Sequence, residues 1–375
     1  MRILHICSYY IGNKLYRNLI KHLSFSGIEQ EVFIPIRDKN HFGKNQLPSE
    51  FKLVNYYYRN ILKNYDRILF HNKMNKQMKE IEKIILSNKT IDFIHAHTIF
   101  SDGGTAYKIY KKYGTNYIVN VRNTDINIFY KYGIHLRPLM YKILLNASSI
   151  VFISHAYKQK MFSILPDHIC NKIRDKSYVI PNGIDDYWHD NAVLRRQFNT
   201  PNEINLLFIG RLDKNKNLGA VFKSCAKLYN EGFNISLQVV GKGPLENKYR
   251  KLCKELNIDK QVTFHGYITD KEQLSKTMDK CDIFVMPSFK ETFGLVYIEA
   301  MSRGIPVIYT RGQGIDGFFK SGEVGFSVNP SDTDDIIKAI KEIKDNYNNI
   351  SCNCRENVKL FKWDTITPKY RSLYK

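Results

Sequence analysis

The sequence predicts an α/β protein of two doubly wound domains, each a parallel sheet covered by helices. Short apolar runs alternate with helical patterns along the whole chain, and strand–helix alternation at this spacing argues parallel sheets buried on both faces. The alternation pauses in a polar stretch at 196–203 and then restarts. A length of 375 residues suits two domains of ordinary size, and a hydrophobic content of 43% excludes general disorder.

In the first half, residues 2–7, 31–34, 93–96, 117–121, 150–153 and 178–180 read as strands bounded by polar residues, Gly or Pro. Between them, Leu15, Leu19 and Leu23 recur at helical spacing, as do Met74, Met78, Ile81 and Ile85. In the second half, 205–209, 236–240, 262–264, 283–286 and 306–309 read as strands. Leu218, Val221, Phe222, Cys225 and Leu228 form a helix stripe between the first two of these. No repeat of solenoid period is present. The longest apolar runs, such as Leu206-Leu207-Phe208-Ile209, are strand-sized and cannot span a bilayer. The opening run is too short for a secretory signal, and the seven cysteines are odd in number and scattered. Reduced thiols in a cytoplasmic chain are therefore expected.

Subtracting 36 acidic from 57 basic residues leaves a formal charge of +21, so an anionic partner is expected. Nucleic acid, an acidic membrane face and a phosphorylated small molecule all meet that demand. Residues 37–89 hold twelve Lys/Arg against five Asp/Glu, interleaved with Tyr56, Tyr57, Tyr58 and Tyr65. This segment, with Ile61 and Leu62, is the expected contact with an anionic cytoplasmic leaflet.

Ligands of doubly wound sheets sit beyond the carboxyl ends of the strands. After the strand ending near Gly210, Arg211 and Lys216 lie in one loop. A planar guanidinium and a flexible ammonium suit two linked phosphates. After the strand ending at Met286, a Pro-Ser turn leads into a helix starting near Phe293-Gly294. Gly294 allows close backbone approach to a ligand, and the helix end binds anions. Glu291 precedes that helix and Glu299 lies two turns into it, so both can face one cleft and accept hydrogen bonds from sugar hydroxyls. Asp332-Thr333-Asp334 has the Asp-x-Asp pattern of some metal sites, but it precedes Ile336, Ile337, Ile340 and Ile343 and reads as a helix start. No His/Cys/Asp/Glu cluster has metal-ligand spacing, so no metal is expected.

Arg211 and Lys216 five residues apart, then Glu-x7-Glu from Glu291 to Glu299, resemble the family-four (group 1) retaining nucleotide-sugar glycosyltransferases of the GT-B fold. Val179-Ile180-Pro181-Asn182-Gly183-Ile184-Asp185, Val239-Val240-Gly241-Lys242-Gly243-Pro244 and Ser302-Arg303-Gly304-Ile305-Pro306-Val307 match in the same order. The resemblance implies two Rossmann-like domains facing a central cleft. Residues 1–186 would bind the acceptor, residues 187–358 the nucleotide-sugar, and 359–375 would form a helix packing back on the N-terminal domain. It implies transfer of a hexosyl group from a UDP-sugar to a glycan or lipid-linked glycan hydroxyl, with retention, without metal or other cofactor, in surface polysaccharide biosynthesis. Arg211 and Lys216 would hold the donor diphosphate, Glu291 the transferred sugar, and Glu299 the ribose. Gly12, Gly241, Tyr267 and the Phe293-Gly294-Leu295 amides would complete the donor site.

The N-terminal half departs from the family pattern. Only Gly12 stands where a double-glycine loop is usual, and Arg122-Asn123-Thr124-Asp125 lacks the usual histidine. Arg122, Asn123, Asp125 and His97 are expected at the acceptor or in the cleft. The rival readings are a GT-B nucleotide-sugar epimerase and a basic nucleic-acid-binding protein; the latter lacks any recognised nucleic-acid motif, so no nucleic acid is expected as partner.

Overall fold

The computed structural model describes residues 1–67, 69–192 and 202–375, so most of the polar stretch at 196–203 lies outside the described residues. The chain divides into two compact units. One comprises Met1–Ile153, Lys158–Gly183 and Trp363–Lys375, the other Ser154–Tyr157 and Ile184–Lys362.

The first unit contains β1 (Arg2–Ile6), β2 (Glu29–Ile36), β3 (Val54–Asn60), β4 (Phe93–Ala96), β5 (Tyr117–Val121), β6 (Ser149–Phe152) and β7 (Ser177–Val179). They form one sheet of order β3-β2-β1-β4-β5-β6-β7, parallel throughout. Strand β3 was not expected. Its tyrosines belong to an edge strand paired with β2 from Gln30↔Val54 to Ile36↔Asn60. Tyr58 and Leu62 are buried, and Tyr56 shares a hydroxyl contact of 2.9 Å with Tyr10. An edge strand with tyrosine bodies inward and hydroxyls paired shows no clean apolar alternation, which hid it from the periodicity. The last helix, Trp363–Leu373, places Trp363, Ile366 and Tyr370 in a core with Ile3, Leu19, Leu23, Phe93, Ile118 and Val151. Each such large apolar side chain contributes about 1.5–3 kcal/mol on burial, enough to fix the helix on this unit.

The second unit contains β8 (Glu203–Ile209), β9 (Asn234–Val240), β10 (Val262–Gly266), β11 (Ile283–Val285), β12 (Val307–Thr310) and β13 (Gly325–Val328). Their order is β10-β9-β8-β11-β12-β13, again all parallel. Strand β13, four residues at the sheet edge, was also missed; its length is too short for a pattern to register. The helix Thr333–Asp345 starts as expected, with the Asp332 carboxylate accepting from the Asp334 amide at 2.9 Å and the Asp335 amide at 3.3 Å. In each sheet the strand order reverses once, between β1 and β4 and between β8 and β11. The loops leaving those strand pairs diverge and open a crevice at their carboxyl ends.

Candidate active site

Two loops meet at the β8/β11 crevice. The Asn215 side chain clasps residue 290 from both sides: its Oδ1 accepts from the Lys290 amide at 3.1 Å and its Nδ2 donates to the Lys290 carbonyl at 2.9 Å. Asn217, in the left-handed region at φ 57°, donates to the carbonyls of Pro287 at 3.2 Å and Pro330 at 2.7 Å. This double clasp brings Lys216 against Glu291, and the ammonium donates to Oε2 at 2.6 Å. The two side chains are 22% and 13% exposed, so water screens the pair only partly. Glu291 is held further. Its Oε1 accepts from the Thr292 amide at 3.0 Å, its own amide donates to Gln313 Oε1 at 3.1 Å, and its carbonyl accepts from the Gly314 amide at 2.9 Å. Asn215, Asn217, Gln313 and Gly314 were not singled out in the sequence, because their roles depend on loops far apart in the chain.

Gly294 stands at φ +81°, and a Cβ there would lie 2.4 Å from the Tyr297 ring, so the turn admits no other residue without displacement. The helix Leu295–Ser302 begins beside it with no side-chain cap. The amides of Leu295 and Val296, in its first turn, have no intrahelical acceptor and lie close along the chain to Glu291. Glu299 is half-buried on this helix. Burial raises its pKa to about 7, against the opposing positive charge of Lys271, which itself is ion-paired to Asp185 at 2.6 Å.

A cavity of about 350 Å³ lies at the ends of β8 and β9, lined by Ile209, Arg211, Val240, Gly241, Tyr267 and Ile268 among others. Tyr267 is 70% exposed and the Arg211 side chain 71% exposed, the latter 3.7 Å from Asp213. Gly241 forms the floor at φ +139°; a Cβ there would stand 1.9 Å from the Gly210 carbonyl oxygen. Its glycine character thus serves the approach of the β8 and β9 ends. A Cβ on Gly210 would stand 3.5 Å from the Lys216 stem, so the cavity and the Lys216–Glu291 pair are contiguous through Gly210. The second unit therefore gathers Arg211, Gly241 and Tyr267 in one cavity and Lys216, Glu291, Phe293, Gly294 and Leu295 on its flank.

The N-terminal candidates divide. Asp125 is not at a ligand surface. It is fully buried and accepts from the amides of Arg122 at 2.9 Å, Ile99 at 3.2 Å and Phe100 at 3.4 Å, pinning the loop after β5; burial lifts its pKa to about 7. His97 likewise turns inward, 1% exposed, with its Nε2 3.2 Å from His5 Nδ1. Fold pairing also creates what spacing did not reveal: β1 sets His5 opposite His95, and His5, His95 and His97 form a buried cluster in which one ring nitrogen of each lies within 4.8 Å of the others. Both nitrogens of His95 are engaged, with the Tyr374 hydroxyl at 2.8 Å and Asn120 Oδ1 at 3.1 Å, and the His95 and His97 rings stack at 4.1 Å. Desolvation lowers the pKa of all three, so they stand as neutral packed rings. Arg122 is half-buried, its Nε donating to the His97 carbonyl at 3.3 Å and Nη1 to Asn182 Oδ1 at 3.3 Å. Asn123 is exposed and accepts from Asn127; Gly12 is exposed too, and a Cβ there would meet nothing, so no glycine is demanded at that position.

Residues 13–187 match the family described as Glycosyltransferase Family 4, and residues 190–361 match that described as Glycosyl transferases group 1. N-acetyl-alpha-D-glucosaminyl L-malate synthase of Bacillus anthracis is 25% identical over 300 residues, 77% of this chain and 76% of that one. Among solved structures, sucrose-phosphate synthase from Thermosynechococcus elongatus superposes with a TM-score of 0.74 at 20% identity, covering 100% of this chain and 98% of that one. Anabaena HepE in complex with UDP superposes with a TM-score of 0.72 at 16% identity, covering 99% of each chain. The chain therefore joins a glycosyltransferase family 4-like domain to a glycosyl transferases group 1 domain on the GT-B fold.

Proposed function

We propose that the chain moves a sugar from a UDP-sugar, bound by its second unit, to an acceptor hydroxyl, with anomeric configuration retained and without a metal. The observation that carries this is the contiguity of the Arg211/Tyr267 cavity with the Lys216–Glu291 pair and the start of the helix Leu295–Ser302. The base lies by Tyr267, the diphosphate is held by Arg211, Lys216 and the helix amides, the ribose by Glu299, and the sugar hydroxyls by Glu291. The chemical difficulty is departure of a diphosphate as the sugar becomes oxocarbenium-like. Fixed positive charge at the leaving oxygens meets it, and loss of one such donor typically raises a barrier by about 2.7–4 kcal/mol. The acceptor hydroxyl attacks the anomeric carbon from the face the phosphate leaves, and the departing phosphate oxygen takes its proton. That Anabaena HepE, of like fold, forms a complex with UDP supports the choice of base.

A panel of nucleotide-sugars assayed for hydrolysis and transfer tests the reading, with product anomers assigned by proton NMR. Inverted product, or a UDP-induced rise in melting temperature no larger than an oligonucleotide gives at physiological salt, would overturn it. A second reading, attachment to an anionic membrane bearing a lipid-linked glycan, is supported by exposed Phe42, Tyr65 and Leu69 within the basic 37–89 segment. Three of that segment's cations are already paired, Arg59 with Glu80, Lys76 with Asp66 and Lys89 with Glu31. Co-sedimentation with anionic but not neutral vesicles, weakening with salt, is the expected result; equal recovery in both supernatants removes it.

A further inference from the structure

The first unit has a cavity of its own at its switch point. About 320 Å³ opens beyond β1, β2, β3, β4 and β5, lined from each in turn by Ser8, Arg37, Leu62, Thr98 and Thr124. Lys73, from the helix Phe70–Ile81, reaches into it, and among the described residues no carboxylate lines it. Lys73 is only 8% exposed. Its ammonium stands 5.4 Å from the Phe70 ring and has no hydrogen-bond or ion-pair partner among the described residues. The nearby Lys76, by contrast, is paired with Asp66 at 3.0 Å. Desolvation lowers the Lys73 pKa and the charge of Arg37 lowers it further, while the carboxylates of Asp102 and Asp66 oppose them. Asp102 is fully buried and its carboxylate is directed to the Ser8 amide and hydroxyl, so it acts on Lys73 through space and not by a hydrogen bond. A buried ammonium with no hydrogen-bonded partner, lining one cavity with a guanidinium and the Thr124 hydroxyl, makes a site for an anion.

We propose that this cavity takes an oxyanion, phosphate or carboxylate, carried by the acceptor, with Lys73 and Arg37 as its counter-charges and the Thr124 hydroxyl as a donor. This rests on the reading of the first unit as the acceptor-binding one. The volume suits a small polyhydroxylated anion and not a long neutral glycan.

The test titrates inorganic phosphate by calorimetry into the full chain saturated with UDP, so that the Arg211 region is occupied. Binding is expected, weakened about tenfold or more by Lys73→Met and a few-fold by Arg37→Gln. Lys73→Met should keep a single cooperative melting transition when empty, so lost binding is not lost folding. Arg37 is exposed, and its variant keeps the test alive whatever Lys73→Met does to the fold. Equal phosphate affinity in parent and both variants, or no binding by the UDP-loaded parent, overturns the site and leaves the nucleotide reading intact. Should UDP itself not bind, that reading fails alone, and the phosphate titration proceeds in an Arg211→Ala background. Displacement of phosphate by glycerol 3-phosphate marks a soluble source, and displacement by phosphatidate vesicles alone marks a lipid headgroup; each upholds the oxyanion site.

Discussion

Glu291→Gln should move nucleotide affinity and turnover in opposite directions. The glutamine is isosteric: its carbonyl can still accept from the Thr292 amide and its stem still packs by Gly314. What it loses is the 2.6 Å ion pair with Lys216. In the empty protein that carboxylate competes with a donor diphosphate for the same ammonium. Partly screened pairs of this kind are worth about 1 kcal/mol, so freeing Lys216 should tighten UDP binding by roughly fivefold. The sugar hydroxyls, however, exchange a charged acceptor for a neutral one. Charge-assisted hydrogen bonds exceed neutral ones by about 1–1.5 kcal/mol each, so two of them lost in the transition state slow turnover by roughly thirtyfold or more. Calorimetry with UDP and initial rates with the preferred nucleotide-sugar measure the two effects on one preparation. Weaker UDP binding in Glu291→Gln, by as much as in Glu299→Ala, would refute both the competition and the division of roles.

Glu299→Ala should weaken nucleotide binding about tenfold, consistent with loss of charged hydrogen bonds to the ribose. Because the Glu299 pKa is raised to about 7 and hydroxyl donors favour the ionised form, affinity for a nucleotide-sugar should climb between about pH 6 and pH 8 and level off above; a profile equally steep in the variant rules out Glu299 as its source. Arg211→Ala and Lys216→Ala should each slow transfer by about a hundredfold or more, and Arg211→Lys should recover only part, since lysine lacks the planar fork; activity should persist in EDTA, and its complete loss with rescue by magnesium would overturn the metal-free route. Gly241→Ala forces a Cβ to 1.9 Å from the Gly210 oxygen at φ +139°, so strain of about 1–3 kcal/mol or more should lower the urea midpoint and UDP affinity together; an unchanged midpoint would contradict the backbone there.

The covalent order of residues determined the two parallel-sheet domains and which side chains lie just past the strands of the second unit, because both depend on local patterns. Strand periodicity marked eleven of the thirteen strands among the described residues, and the two missed are edge strands whose burial comes from partners elsewhere. Arg211, Lys216, Glu291 and Gly294 were legible because each lies just past a strand, where backbone direction alone delivers the side chain to the crevice. What only the tertiary structure decided involves residues distant along the chain. The clasp by Asn215 and Asn217 joins loops some seventy residues apart and creates the Lys216–Glu291 pair. Asp125 and His97 read as ligand-facing from their places after strands, yet desolvation and the amides of Ile99 and Phe100 turn Asp125 into a structural anchor. The histidine cluster arises from the pairing of β1 with β4, which no spacing encodes. Lys73 shows the same limit: in sequence it is one cation among many in a basic segment, and only burial without a partner distinguishes it, since the free energy of a charge depends on what surrounds it in space.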